Sequence, residues 1–186
     1  MGDALYIFDF DDTLAHSGAN VIVIHKDGTE ETLSSADFAT YVEQPGDDFD
    51  FSEFDVYPPA GKMINSTFSE LQAAIGAAGA SNVVILTARR ETKPVIEFLK
   101  DQGLNTAIQV VGTASSNPTS KARYVASRLK GSNYTEVHLY EDSSANINAI
   151  KQMLGKDHPE VEFFSTHVQS ESVLRRVINS ILRECM

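Results

Sequence analysis

The sequence contains no tryptophan and only one cysteine, Cys185, so no disulfide can form within the chain. This cysteine usage is typical of proteins from a reducing compartment. Basic residues are also scarce: 15 Lys and Arg stand against 26 Asp and Glu, and the net charge is −11. We therefore expect no extended nucleic-acid-binding face, because a surface of this sign repels phosphates.

Long hydrophobic runs are missing as well. No run approaches the roughly 18 uninterrupted apolar residues that mark a membrane span. The first ten residues lack the basic start and the cleavage site of a signal peptide. We therefore expect a soluble, cytoplasmic protein without membrane partners. The hydrophobic content of 42% in 186 residues is enough to bury the core of one domain.

Five short apolar runs that contain β-branched residues recur along the chain: Leu5–Phe8, Val83–Leu86, Ile108–Val111, Val137–Tyr140 and Val161–Phe164. Such runs are typical of strands that are buried on both faces of a parallel sheet. Helical patterns separate or follow them at residues 61–79, 92–103, 120–131, 143–155 and 170–185. This alternation predicts an α/β fold with a doubly wound, Rossmann-like parallel sheet of about five strands.

Residues 15–60 interrupt the alternation. Val21–His25 and Thr29–Leu33 flank Lys26-Asp27-Gly28, and this predicts a β-hairpin because Asp-Gly suits turns that need positive φ. We expect a short helix at 34–43 and an acidic loop at 44–55. The chain should thus form a single domain over residues 1–186, with a small insertion of about 45 residues after the first strand.

Polar side chains lie where the predicted strands end, or at the start of the helix that follows the third strand. They are Asp9, Asp11, Thr87, Arg89, Lys121, Glu141 and Asp142. In doubly wound sheets, ligands bind beyond the carboxyl ends of the strands. We therefore expect these distant residues to meet at one edge of the sheet.

Four of these residues are carboxylates, which repel one another unless a cation lies between them. Oxygen-only ligands favour Mg²⁺. The five histidines show no spacing that would suit zinc. The sequence therefore predicts a Mg²⁺ site with Asp9, Asp11, Glu141 and Asp142 as candidate ligands.

Four motifs, taken in order, resemble those of the haloacid dehalogenase (HAD) superfamily of phosphotransferases. They are Asp9-x-Asp11-x-Thr13-Leu14, Thr87 after an apolar strand, Lys121 at a helix start, and Glu141-Asp142-Ser143. The resemblance covers nearly the whole chain. It implies a HAD-like hydrolase domain with a small cap at about 15–60 and sheet order 5-4-1-2-3, with the first strand central.

The resemblance also implies roles for the matching residues. Asp9 would be the nucleophile that forms an aspartyl-phosphate, and Asp11 the general acid and then the general base. Asp9, the Asp11 carbonyl, Glu141 and Asp142 would hold Mg²⁺. Asn146 stands where many relatives place another acid, and it is a candidate for supporting the metal site.

The candidate substrate-binding residues are Thr87, Ala88, Arg89 and Lys121, and by the resemblance Thr87 and Lys121 would also be catalytic, with Asp9 and Asp11. The Thr87 hydroxyl and nearby backbone N–H groups would hold phosphate oxygens, and Lys121 would neutralise both the nucleophile and the phosphate. Arg89, with Arg90 beside it, could hold a second substrate anion. It could equally lie in a solvated loop or pair with the acidic insertion.

The aromatic residues of the insertion allow two interpretations. Phe49, Phe51 and Phe54 could form a wall against the substrate or attach the insertion to the core. The small insertion and the arginine pair favour a nucleotide or a nucleic-acid terminal phosphate as the phosphorylated substrate.

The resemblance as a whole implies a Mg²⁺-dependent phosphatase, a hydrolase of phosphomonoesters. A phosphatase of small phosphorylated metabolites is the alternative within this class. A non-catalytic HAD-fold scaffold and a phosphoacceptor signalling domain are alternatives of other classes. The signalling domain is disfavoured because Thr87 comes early in the chain and a second acidic pair closes the fourth strand.

Overall fold

The computed structural model describes residues 3–38 and 41–169. The predicted C-terminal helix at 170–185 lies outside the described residues. The strands are β1 (Asp3–Phe8), β2 (Ala15–His16), β3 (Asn20–Ile24), β4 (Glu30–Ser34), β5 (Asp48–Asp50), β6 (Lys62–Met63), β7 (Val83–Thr87), β8 (Gln109–Gly112), β9 (Tyr134–Glu141) and β10 (Glu162–His167). The helices are α1 (Ser35–Phe38), α2 (Asn65–Ala78), α3 (Lys93–Asp101), α4 (Pro118–Leu129) and α5 (Ser144–Asp157), with 3-10 turns at Ser52–Asp55 and Ala80–Asn82.

The five strands predicted from apolar runs form one sheet in the order β10-β9-β1-β7-β8. Every neighbouring pair in it is parallel. This confirms the α/β class and the expected order, with the first strand in the centre. Central strands of a parallel sheet are covered on both faces, and each residue of β7 is buried accordingly.

Two hydrophobic cores cover the two faces of this sheet. Alternate residues of β1 serve opposite cores, because successive side chains of a strand point to opposite faces. Phe8 packs with residues of α2 and α3. Leu5 and Ile7 pack with residues of α4 and α5. Helices therefore pack on both faces of the sheet, and this packing fixes the positions of the residues at the carboxyl ends of its strands.

Capping residues set where the helices near this edge begin. Ser143, where the helical pattern begins, caps α5, since its Oγ accepts a hydrogen bond from Asn146 N at 3.3 Å. The predicted start of α4 at Ser120 was wrong. Asn117 caps α4 by accepting from Thr119 N at 3.0 Å, and Pro118 occupies the first turn, where its missing N–H costs no hydrogen bond.

The insertion, called the cap below (residues 15–60), is a three-stranded antiparallel sheet in the order β4-β3-β5. The predicted hairpin is β3 and β4, and the predicted short helix is α1. The prediction of a loop throughout 44–55 was wrong, because β5 pairs with β3. Strands β2 and β6 pair at the base of the cap, so both of its ends are tied together. None of the helices in the described ranges has the length and hydrophobicity needed to span a bilayer.

Gly112, at the end of β8, packs closely against the backbone that follows β7. A Cβ at this position would overlap the carbonyl oxygen of Arg89 and lie 3.1 Å from that of Arg90. We expect Gly112→Ala to lower the free energy of unfolding by about 1–3 kcal/mol, as overpacking does in rigid sites. Urea unfolding of both proteins measures the change.

Gly76→Ala is the matched control for this substitution. Gly76 lies inside α2, and an added Cβ would meet nothing within 4 Å. Alanine should stabilise the helix there by roughly 0.5–1 kcal/mol. Equal effects of the two substitutions would contradict the close packing of Gly112 against the Arg89–Arg90 backbone.

Candidate functional site

The carboxyl ends of β1, β7 and β9 meet beneath the cap and enclose a cavity of about 410 Å³. Asp9 directly follows β1, and Glu141 is the last residue of β9. The cavity is lined from the sheet side by residues that include Asp9, Asp11, Lys121, Glu141, Asp142 and Asn146. The predicted convergence of these distant residues is therefore present in the fold.

Lys121 joins two of the carboxylates. Its Nζ donates to Asp9 Oδ1 at 2.6 Å and to Glu141 Oε2 at 2.8 Å, and all three side chains are buried. Burial alone would lower the pKa of Lys121, but the charges of Asp9 and Glu141 outweigh it and raise the pKa above its usual value. The lysine is therefore a fixed positive charge against Asp9.

The carboxylates outnumber this one ammonium. Oxygens of Asp9, Glu141 and Asp142 lie within 4.8 Å of one another. Burial raises the pKa of Asp9 well above its usual value, opposed by Lys121. Burial, with a contribution from Glu141, raises the pKa of Asp142 to about 7. Three close carboxylate oxygens with one counter-charge suit a hard divalent cation such as Mg²⁺.

Thr13 fixes the position of Asp142. Its Oγ1 donates to Asp142 Oδ1 at 3.0 Å and accepts from the Asp142 backbone N–H at 3.1 Å. Residues 129 positions apart are thereby held together. The hydroxyl of Thr13, a residue of the first motif, therefore supports the acidic cluster.

Asp11 lines the same cavity, and its carboxylate is paired with Arg89. The Arg89 Nε and Nη2 atoms donate to the two Asp11 carboxylate oxygens at 2.9 and 2.8 Å. Ser17 Oγ donates to Asp11 Oδ1 at 2.6 Å. A role for the Asp11 carbonyl as a metal ligand stays a prediction. Arg89 is buried, so it does not lie in a solvated loop. It contacts the insertion as the sequence allowed, but through the Phe54 carbonyl, and its ion-pair partner is Asp11, which lies outside the insertion.

The backbone after β7 is tied to the loop after β8. Thr87 Oγ1 accepts from the Arg89 N–H at 3.2 Å, and Thr87 O accepts from Thr113 N at 2.9 Å. Ala88 O accepts from Ser115 N at 3.2 Å. Thr87 is fully buried, whereas Ala88 lines the cavity. Phosphate binding by these two residues stays a prediction.

Sequence reasoning missed two residues of the site, Ser17 and Ala114. No motif marked Ser17, which donates to Asp11. Ala114 lines the cavity in a left-handed backbone conformation with φ of 50°, which few non-glycine residues adopt. Phe51 and Phe54, which the sequence offered as part of a wall against the substrate, do line the cavity from the cap, and Phe51 also packs on Phe49. The cap aromatics thus both hold the cap together and face the cavity.

No family model matches the chain, and searches of curated proteins and of solved structures find no match either. Membership of the HAD superfamily therefore rests on the motifs and their geometry, and it stays a prediction.

Proposed function

We propose that the chain is a HAD-type phosphatase that hydrolyses a phosphomonoester through an aspartyl-phosphate. The observation that supports this best is the buried contact of Lys121 with both Asp9 and Glu141. A strand-end carboxylate held by a lysine, beside two further acids and under a cap, is the arrangement that the four motifs require. A scaffold would have no need of this buried charge cluster, which is expensive to desolvate.

Asp9 is the nucleophile in this proposal. Lys121 holds Asp9 Oδ1, which leaves Oδ2 to attack phosphorus. The bond from Oδ2 to phosphorus forms as the bond to the leaving oxygen breaks, and that oxygen takes a proton from Asp11. Asp11 then accepts a proton from water, whose oxygen attacks phosphorus and releases phosphate and free Asp9.

The positive charge of Lys121 serves both steps. It lies in a buried site, where an ammonium stabilises developing negative charge more strongly than it would in water. Asp9, Glu141 and Asp142 would hold Mg²⁺. Bound there, the ion would offset the negative charge of the phosphoryl group.

The cavity narrows the choice of substrate. Its volume of about 410 Å³ lies in the range of small-molecule sites. Phe51 is 39% exposed and Arg90 is also exposed, and both line the cavity. An aromatic ring could stack on Phe51, which favours a nucleotide or the terminal nucleotide of a nucleic acid. A small phosphorylated metabolite remains the second candidate because the cavity has room for a ligand of that size.

Phosphate release from p-nitrophenyl phosphate tests the proposed activity. We expect turnover with Mg²⁺ and none after EDTA treatment, restored when Mg²⁺ is added back. Mg²⁺ at ten times its Kd should also raise the free energy of unfolding by about 1.4 kcal/mol, because it binds only the folded state. A screen of phosphorylated metabolites beside 3′- and 5′-phosphorylated oligonucleotides identifies the substrate class.

Asp142→Asn serves as the metal-site control in these measurements. It removes one charge from the acidic cluster, so the Mg²⁺-dependent rise in stability should shrink or vanish. Wild-type protein that shows neither turnover nor stabilisation by Mg²⁺ would favour the non-catalytic scaffold.

A further inference from the structure

We propose that Arg89 is a positioning residue that holds the Asp11 carboxylate in place for proton transfer and ties it to the cap. This inference rests on the proposed phosphatase function and adds a role that the motifs do not assign. Arg89 would act on the reaction through Asp11, without contacting the phosphoryl group itself.

Arg89 grips both oxygens of the Asp11 side chain. Nε donates to Oδ2 at 2.9 Å and Nη2 donates to Oδ1 at 2.8 Å, while Ser17 Oγ donates to the same Oδ1. Two parallel N–H···O bonds from a planar fork fix the plane of a carboxylate as well as its position. The Asp11 side chain therefore has little freedom to rotate.

The same guanidinium also contacts the cap. Nη1 donates to Phe54 O at 2.5 Å and approaches Val56 O at 3.4 Å. The guanidinium carbon lies 5.2 Å from the centre of the Phe10 ring and 5.3 Å from that of Phe54. Phe10 belongs to the core and Phe54 to the cap, so Arg89 is clamped between the two.

These contacts give each nitrogen of the Arg89 guanidinium a protein acceptor, although Arg89 also lines the cavity. The side chain is only 1% exposed, and Nε, Nη1 and Nη2 each have a protein acceptor. To hold a substrate anion through two parallel hydrogen bonds, Arg89 would have to release Asp11 or the cap. Buried ion pairs seldom add stability over well-packed apolar side chains. Positioning of Asp11 therefore accounts for this arrangement better than stability or substrate binding does.

When a general acid is misplaced, the loss in hydrolysis rate depends on how much the leaving group needs a proton. An alkoxide leaves only if it receives a proton, so hydrolysis of an alkyl phosphomonoester needs Asp11 at the right place. The p-nitrophenolate anion is stabilised by its ring and leaves without a proton. A substitution of Arg89 should therefore slow hydrolysis of an alkyl phosphomonoester far more than hydrolysis of p-nitrophenyl phosphate.

Arg89→Lys tests this, because lysine keeps the charge but cannot form the fork. The measurement is kcat/KM for β-glycerophosphate and for p-nitrophenyl phosphate, with saturating Mg²⁺, since kcat/KM reports the step in which the leaving group departs. We expect a loss of about 100-fold on the alkyl ester and of less than about tenfold on the aryl ester. The control is Arg128→Lys, which alters an arginine that donates to Ser81 O and stacks on Tyr134 away from the cavity. It should change neither value.

The outcomes separate this inference from the proposed function. Equal losses on the two esters would overturn the positioning role, because they would indicate substrate binding or general damage. If wild-type protein hydrolyses neither ester with Mg²⁺, the phosphatase itself is wrong. If Arg89→Lys fails to fold, Ser17→Ala removes one hydrogen bond to Asp11 and leaves the arginine in place. It should give the same selective loss, about tenfold on the alkyl ester, and no selectivity there would also overturn the role.

Discussion

Asp9→Asn should reduce phosphate release by at least about 10⁴-fold, because loss of a covalent nucleophile costs that much or more in other hydrolases. The amide is nearly isosteric with the carboxylate but is a poor nucleophile. Its Oδ1 can still accept from Lys121, so the fold should survive. Removing one of several close carboxylates also lessens their repulsion, so the metal-free variant should be at least as stable as the wild type.

Initial rates with p-nitrophenyl phosphate and thermal unfolding curves check both halves of this expectation. Mass spectrometry of acid-quenched wild-type protein should find a phosphoryl group on the peptide that contains Asp9. Asp3→Asn is the matched control, since Asp3 lies exposed at the other end of β1. Normal turnover by the Asp9 variant would exclude the covalent mechanism.

Lys121→Met should lower both the free energy of unfolding and the phosphatase activity. The lysine is the counter-charge of the buried Asp9 and Glu141, and removing one partner of a buried ion pair typically costs about 3–5 kcal/mol. Activity should fall by about 10²–10³-fold, because the stabilising charge beside the phosphoryl group is lost. Mg²⁺ should restore part of the stability, since it supplies positive charge to the same carboxylates.

Urea unfolding with and without Mg²⁺ measures this effect, and Lys130→Met, at the exposed end of α4, is the control. The double variant Lys121→Met with Asp9→Asn should recover part of the lost stability, because it leaves fewer uncompensated charges. A Lys121→Met protein as stable as the wild type would show that Lys121 does not balance the buried carboxylates.

The residues at the ends of the strands were predictable because the signal for them is local. A buried parallel strand is apolar throughout, so a carboxylate such as Asp9 or Glu141 marks the point where the strand ends. The order of the strands came from the resemblance, and the parallel topology then brings their carboxyl ends to one edge. This is why Asp9, Lys121, Glu141 and Asp142 could be named before the structure was known.

Two features could not be predicted from the sequence because they depend on tertiary structure: the contacts of Arg89, and the strand β5. Arg89 follows β7 wherever the cap lies, and only the path of the cap puts Phe54 against the guanidinium. β5 is three residues long and two of them are aspartates, so it has no apolar pattern of its own. It is a strand because β3 offers it an edge to pair with.

By itself, the amino-acid sequence determined the α/β class, the strands of the main sheet and the acidic edge where they end. These follow from the periodicity of apolar residues and from the high free energy of burying an unpaired charge. Only the tertiary structure decided that Arg89 binds Asp11, that Thr13 holds Asp142, and that the cap lines one side of the cavity. Those contacts join segments far apart in the chain, and their formation depends on the packing of the whole domain.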